Sequence, residues 1–186
     1  DEIILAGFRQ EDPMPRPRPE DGPYGPLMKQ VDLAAMKTRP HRYRMDLRTG
    51  KTREEPLSDL ICEFPTIHGR FGGRAYRRAY AMTAKPGWFL FDGLVALDVE
   101  TGATDHFAFP EGVYGSESPM APRPGSERED DGWVVTFVSS VRGDSSECWI
   151  FDAQRIAAGP IARVALPHRL CSGTHACWAP EIADKA

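Results

Sequence analysis

The residues of this sequence best suited to chemistry are one histidine near its end and two glutamates upstream. His175 lies between Thr174 and Ala176, and these small neighbours leave room for the imidazole to point into a confined space. Glu63 and Glu117 are each followed closely by a proline. A histidine that binds a metal through one ring nitrogen commonly donates the other N–H to a carboxylate, which sets its tautomer and direction. The three residues therefore suggest a metal ligand with carboxylate partners.

Simple structural roles are the alternatives to this hypothesis. His175 could be a hydrogen-bonded core or loop histidine, and either glutamate could form a salt bridge or a turn contact. Cys171 and Cys177 flank the histidine, which also raises the question of a zinc site. Structural zinc sites usually combine closely spaced cysteine pairs with a second matching pair, whereas Cys62 and Cys148 stand alone. The zinc interpretation is therefore the weaker one.

Other catalytic motifs are missing from the sequence. It contains no phosphate-binding loop, no Gly-x-Gly-x-x-Gly, no His-Glu-x-x-His and no serine in a nucleophile elbow. Four further histidines have polar neighbours in strand or turn segments, and we expect them at the surface: His41, His68, His106 and His168.

The composition is that of an ordinary globular protein. A chain of 186 residues with 41% hydrophobic and 27% charged residues can form one domain with a substantial core. The net charge of -4 argues against a sequence-independent nucleic-acid binder. No apolar run approaches the roughly 20 residues that cross a bilayer, although peripheral membrane contact stays open. Four scattered cysteines favour a reducing, cytoplasmic location. The oligomeric state is not defined by these features.

A recurring turn indicates how the chain is organised. Residues 46–50 and 98–102 both have the pattern Asp-x-x-Thr-Gly, and a weaker echo follows the strand that ends at Asp152. The three aspartates are 52 and 54 residues apart. A repeat of about fifty residues that holds several short strands predicts a β-propeller of four-stranded blades. About three blades are present, so we expect an all-β chain that forms the C-terminal part of a ring.

The beginning of the chain supports that expectation and contains one unusual segment. Residues 1–9 are predicted to form a strand and lack an initiating methionine, as in a fragment of a longer protein. Residues 11–27 carry six prolines, too many for a ladder or a helix interior. We interpret this Pro-rich loop as an excursion between two strands; the alternative is a ligand for a proline-recognition domain.

Several motifs together resemble the carotenoid cleavage oxygenase family, which includes lignostilbene dioxygenases, apocarotenoid oxygenases and the retinal pigment epithelium isomerase. Their order and spacing match from about residue 41 to the end of the chain. The motifs are Glu63-Phe64-Pro65-Thr66-Ile67, Ser116-Glu117-Ser118-Pro119, Pro122-Arg123-Pro124-Gly125, Glu129-Asp130-Asp131-Gly132-Trp133, Phe151-Asp152-Ala153 and the closing segment 166–175.

The resemblance implies a seven-bladed propeller with Fe(II) on its axis, bound by four histidines, three of which are oriented by glutamates. His175 matches the last of the four iron ligands, and Glu63 and Glu117 match two of the orienting glutamates. The other three histidines and the remaining glutamate lie upstream of this chain. Family members usually have an aromatic residue before the ligand and a glycine after it, where this chain has Thr174 and Ala176.

The implied activity is that of a non-haem Fe(II) dioxygenase. Its substrates are dioxygen and a small lipophilic or aromatic alkene of carotenoid, apocarotenoid or stilbene type, cleaved at one double bond into two carbonyl products. Residues 1–186 would be the C-terminal part of this single domain, inactive in isolation. An isomerase activity, which also occurs in this family, is the less favoured alternative to the dioxygenase. The alternative from another class is a propeller-type binding module without catalysis, in which His175 is structural.

Overall fold

Strands make up just over half of the residues that the structure describes. The computed structural model describes residues 1–11, 22–23, 37–84, 90–171, 173 and 175–179. The strands are β1 Glu2–Glu11, β2 Lys37–Asp46, β3 Thr52–Pro56, β4 Cys62–Thr66, β5 Arg78–Ala84, β6 Phe91–Asp98, β7 Thr104–Ala108, β8 Val113–Gly115, β9 Met120–Pro122, β10 Gly132–Ser140, β11 Ser145–Asp152 and β12 Pro160–Ala165. Two single 3₁₀ turns cover Gly69–Phe71 and Ile156–Ala158. The predicted all-β class is confirmed.

The strands form three antiparallel units of the kind expected for propeller blades. The first unit is β1-β2-β3, and the second is the four-stranded meander β4-β5-β6-β7. In the third unit β8 and β9 both pair with β10, which continues to β11 and β12. One residue pair, Phe91 opposite Gly115, joins the second unit to the third. The arrangement agrees with a three-blade segment of a propeller.

The predicted turns form where the repeat places them, between β2 and β3 and between β6 and β7. Asp46 Oδ1 accepts the backbone N–H groups of residues 48 and 49 at 2.8 and 3.0 Å. Asp98 Oδ1 accepts the corresponding two N–H groups, both at 3.0 Å. Gly50 and Gly102 close the turns with φ of 69° and 75°, a region that glycine adopts without strain. The third aspartate, Asp152, opens a different turn that contains a 3₁₀ segment.

The main hydrophobic core lies between the second and third units. β5 and β6 contribute residues buried on both faces, among them Tyr80, Met82 and Leu94. Val134 and Phe151 reach the same cluster from β10 and β11. The Tyr80 hydroxyl donates to the carbonyl of Ala153 at 3.0 Å, so the polar group of this buried ring is satisfied. Side-chain packing therefore connects units that share little backbone pairing.

The first hairpin is longer than the sequence predicted. β1 continues to Glu11 and β2 begins at Lys37, where we expected a strand ending at residue 9 and another starting near 41. An ion pair between Arg39 and Glu11 stabilises the added rungs. Apart from Glu11, Gly22 and Pro23, the Pro-rich loop 11–27 lies outside the described residues. The strands on either side of it pair with each other, as expected for an excursion between two strands.

Within the part of the chain that the structure describes, no helix has the length and apolar character needed to cross a membrane.

Candidate metal centre

Glu117 lies in a bulge between β8 and β9. Four residues, 116–119, lie opposite three residues of β10, 135–137, so one residue is extra. Such bulges bend a strand and redirect a side chain, and they are common beside active sites. β4 has a similar irregularity, because two residues, Phe64 and Pro65, lie opposite one residue of β5. Each predicted glutamate is therefore placed at a bulge in the first strand of a four-stranded unit.

Hydrogen bonds hold the bulge that carries Glu117. The backbone N–H of Ser116 donates to the carbonyl of Phe137 at 2.9 Å, and the Ser116 hydroxyl accepts the N–H of Phe137 at 3.2 Å. The Thr136 hydroxyl donates to the Ser116 carbonyl at 3.2 Å. Across the unit boundary, the Thr66 hydroxyl donates to the carbonyl of Ser118 at 3.0 Å. Because the backbone on both sides is fixed, the direction of the Glu117 side chain is fixed as well.

Glu117 contacts His175 directly. Its Oε2 lies 3.3 Å from Nδ1 of His175 and accepts the backbone N–H of Ala176 at 2.7 Å. An ionised carboxylate can only accept, so the neutral imidazole carries its proton on Nδ1 and leaves the Nε2 lone pair free. The Glu117 side chain is 14% exposed, whereas that of His175 is 83% exposed. The pair thus presents an oriented imidazole at an open surface, which corrects the prediction that the ring points into a confined space.

Glu63 is connected to the Glu117–His175 pair through the next residue, Phe64. Phe64 follows it with a left-handed φ of 54°, and the Phe64 ring meets the His175 ring in a T-shaped contact at 5.5 Å. The Glu63 side chain is half-buried and makes no hydrogen bond or ion pair with any residue that the structure describes. The structure therefore brings Glu117 and His175 together and leaves Glu63 as a carboxylate without such a partner in the described residues.

The segment that carries His175 is anchored at its start by two serines. The Ser146 hydroxyl accepts the N–H of Leu170 at 2.9 Å, and the Ser139 hydroxyl donates to the Leu170 carbonyl at 3.1 Å. With the Glu117 bond to Ala176, the chain is held on both sides of the histidine. Sequence reasoning missed Phe64, Ser139 and Ser146. Only Phe64 had a signal, since it lies inside the Glu-Phe-Pro motif.

A cavity of about 940 Å³ opens beside the residues that follow His175. Its wall combines apolar residues, among them Ile67, Met120 and Trp178, with the charged residues Arg70 and Arg123. Residues 66–70 after the Glu-Phe-Pro motif form one side, and the segment after Glu117 forms another. The space therefore adjoins both glutamate motifs and the histidine segment.

Two of the histidines that we expected at the surface are buried, which corrects that prediction. His68 is 2% exposed; its Nδ1 accepts the N–H of Arg70 at 3.1 Å and caps a 3₁₀ turn. His41 is 7% exposed and its Nε2 lies 3.4 Å from Glu54. Around His41, Arg42 pairs with Glu55 on the neighbouring strand, so the polar residue that suggested a surface position is engaged across the sheet. His168 is exposed, as expected.

The cysteines give the zinc alternative no support. All four are free; Cys62 is buried, Cys148 is half-buried, and Cys171 and Cys177 are exposed. Burial, and secondarily the charge of the nearby Glu63, raises the pKa of Cys62 to about 12, so this thiol stays protonated. Within the described ranges, no group of three or more histidines, cysteines and acids is placed to hold a metal ion by itself.

Comparison with known proteins identifies the family. The family model described as RPE65, retinal pigment epithelial membrane protein, matches residues 3–180. The chain belongs to the RPE65/carotenoid cleavage oxygenase family. Apocarotenoid-15,15'-oxygenase of Synechocystis is 31% identical over 140 residues, which are 74% of this chain and 29% of that protein.

Two solved structures show the same similarity. Lignostilbene dioxygenase of Pseudomonas brassicacearum is 30% identical with a TM-score of 0.72, over 78% of this chain and 33% of that one. Cobalt-substituted Synechocystis ACO is 26% identical with a TM-score of 0.76, over 92% of this chain and 36% of that one. The chain thus spans about a third of the length of these carotenoid cleavage oxygenase relatives, and the predicted family is confirmed.

Proposed function

We propose that the protein to which these residues belong is a non-haem Fe(II) dioxygenase that cleaves a carbon–carbon double bond of a carotenoid, apocarotenoid or stilbene-type substrate. The products are two carbonyl compounds, one oxygen atom of O₂ going to each carbon. The observation that carries the proposal is the Glu117–His175 pair, which holds Nδ1 of the imidazole and leaves Nε2 without a hydrogen bond to any described residue. The relatives, which are named as an apocarotenoid oxygenase and a lignostilbene dioxygenase, support the reaction class.

The donor set fits the metal of the proposed reaction. A neutral imidazole suits divalent iron, and a carboxylate on its second nitrogen raises the basicity of the ligand and fixes the ring. Iron ligated only by imidazoles would supply an open coordination position at which dioxygen is activated. In this chain His175 would be one ligand and Glu117 its orienting partner. The half-buried Glu63 carboxylate would orient a second histidine outside this chain.

The apolar part of the cavity supports an alkene as substrate. Ile67, Met120 and Trp178 offer apolar surface to a conjugated hydrocarbon, whereas Arg70 and Arg123 make another part of the wall polar. We propose that this space receives one end of the substrate while its double bond lies near His175. Membrane contact, oligomeric state and compartment, for which we predicted the cytoplasm, are left to experiment.

The decisive experiment compares two histidines of the same segment in the intact protein. We expect His175→Ala to lower bound iron and to abolish O₂-dependent cleavage while the fold, followed by circular dichroism, is retained. His168→Ala is the matched control, because His168 is exposed and lies only seven residues earlier. Iron content and activity that survive His175→Ala would contradict the proposal and favour a propeller-type binding module.

A further inference from the structure

Phe64 has an unusual backbone for a large aromatic residue. Its φ of 54° is left-handed, and Asp144 is the only other non-glycine residue with a positive φ among those the structure describes. Asparagine, aspartate and glycine tolerate this conformation, but a bulky side chain is strained there by about 1–3 kcal/mol. Other interactions of Phe64 must therefore compensate for this backbone strain.

The bulge in β4 and the packing of the ring explain how the strain is maintained. The register slips between Glu63 and Thr66, so the chain turns at Phe64 and aims its side chain toward the core. The ring makes a T-shaped contact with Phe91 at 5.2 Å and an interplanar angle of 77°. It also packs against the main hydrophobic cluster. One side of Phe64 is therefore anchored in the interior of the protein.

The other side of the same ring meets His175. The ring centroids are 5.5 Å apart and the planes are nearly perpendicular, at 86°. T-shaped contacts of this kind have a preferred geometry and so resist rotation of the partner ring. Because the His175 side chain is 83% exposed, few other atoms restrain it. Glu117 holds Nδ1, and a single hydrogen bond leaves the ring free to tilt about the Nδ1···Oε2 direction.

We propose that Phe64 is a positioning residue, which carries the rigidity of the core to the imidazole of His175 and sets the tilt that Glu117 alone leaves free. The inference rests on the proposed function of His175 as a metal ligand. It gives the central residue of the Glu-Phe-Pro motif a role of its own: the strained backbone at the bulge is the conformation that brings one ring into contact with both Phe91 and His175.

The test measures metal affinity and the state of the imidazole in the intact protein, with Co(II) as the probe. Phe64→Leu keeps an apolar side chain against Phe91 and removes the aromatic contact, and we expect it to weaken Co(II) binding about 10-fold. Phe64→Tyr keeps the ring and should restore wild-type affinity. In the metal-free protein labelled with ¹³C in the histidine ring, Phe64→Leu should shift and broaden the His175 signal, which His175→Ala identifies by its disappearance.

Phe71→Leu is the matched control, because Phe71 makes a similar T-shaped contact at 5.3 Å with His68, a histidine that is not a proposed metal ligand. It should leave both Co(II) affinity and the His175 signal unchanged. The inference is overturned if Phe64→Leu behaves like the wild type, or if a folded Phe64→Tyr protein loses affinity as Phe64→Leu does.

Folding is checked separately, with Phe64→Met as a second apolar replacement, which unlike Leu is unbranched. If neither the Leu nor the Met variant folds, Phe64 is a structural residue and the inference fails. If the His175→Ala protein binds Co(II) as tightly as the wild type, the proposed function fails. The contact between Phe64 and His175 is then still tested by the effect of Phe64→Leu on the His175 ¹³C signal in the metal-free protein.

Discussion

One carboxylate oxygen of Glu117 accepts two hydrogen bonds, from the His175 ring and from the Ala176 backbone. At the residue scale this is the central feature of the chain, because it couples the direction of the imidazole to the path of the backbone that carries it. The sequence suggested the acid and the histidine as partners through their motifs. It could not reveal the Phe64 contact, since that depends on a left-handed φ created by pairing with β5.

Replacing Glu117 by Gln tests this coupling. The amide keeps the size of the side chain but removes the charge, so the Nδ1–H bond weakens and the ligand becomes less basic. We expect metal affinity of the intact protein to fall about 10- to 100-fold. Isothermal titration with Co(II) measures the change. Glu111→Gln is the control, because Glu111 is 86% exposed in an ion pair with Arg142; an equal loss there would point to a general charge effect.

Thiol reactivity offers a second prediction at this scale. With its pKa at about 12, Cys62 is thiolate in only roughly one molecule in ten thousand at pH 8, and it is 1% exposed. Cys171 and Cys177 are exposed. Iodoacetamide should therefore alkylate Cys171 and Cys177 in the native protein and Cys62 only after denaturation, as peptide mass spectrometry would show. Rapid native labelling of Cys62 would contradict the burial described.

At the scale of elements, the turns were predictable and the strand ends were not. An aspartate that accepts two N–H groups and a glycine at positive φ define the turn within five residues, so local sequence is sufficient. The pKa of Asp98 is lowered: burial alone would raise it, but hydrogen bonds from Thr101 and Arg77 outweigh burial. The extension of β1 to Glu11, by contrast, depends on a partner strand that begins at Lys37.

The two matched turn glycines differ in their surroundings, which gives a prediction about stability. Gly50→Ala strains the left-handed backbone in open space and should cost about 1 kcal/mol. An alanine Cβ at Gly102 would lie 2.1 Å from the carbonyl oxygen of Leu57, so this substitution should cost about 3 kcal/mol or more. Chemical denaturation of both variants measures the difference. Equal losses would show that the contact between Leu57 and Gly102 yields easily.

At the scale of the whole molecule, the chain spans about a third of the length of its relatives. The repeat of about fifty residues predicted the propeller class, and the match to solved structures of relatives over most of this chain agrees with it. A complete site could not be predicted from these residues, because the metal-binding geometry implied by the family needs histidines from outside the chain. Among the described residues, no group of three or more metal-ligating side chains is placed to hold an ion.

The isolated 186-residue chain is accordingly expected to bind iron weakly and to cleave no substrate. One imidazole cannot reproduce a four-histidine site, whatever the quality of its orientation. Iron analysis after dialysis and an oxygen-consumption assay with a stilbene substrate measure both properties, with the full-length protein as the positive control. Stoichiometric iron in the isolated chain would contradict the assignment of the missing ligands to other segments.

The extra residue between β8 and β9 decides which face of the blade the neighbouring side chains occupy. A regular strand opposite β10 would keep strict alternation from Val113 to Pro122, and every side chain beyond the slip would change face. Deletion of a single residue from 116–119 is therefore expected to turn over one flank of this strand and to separate Glu117 from the histidine segment.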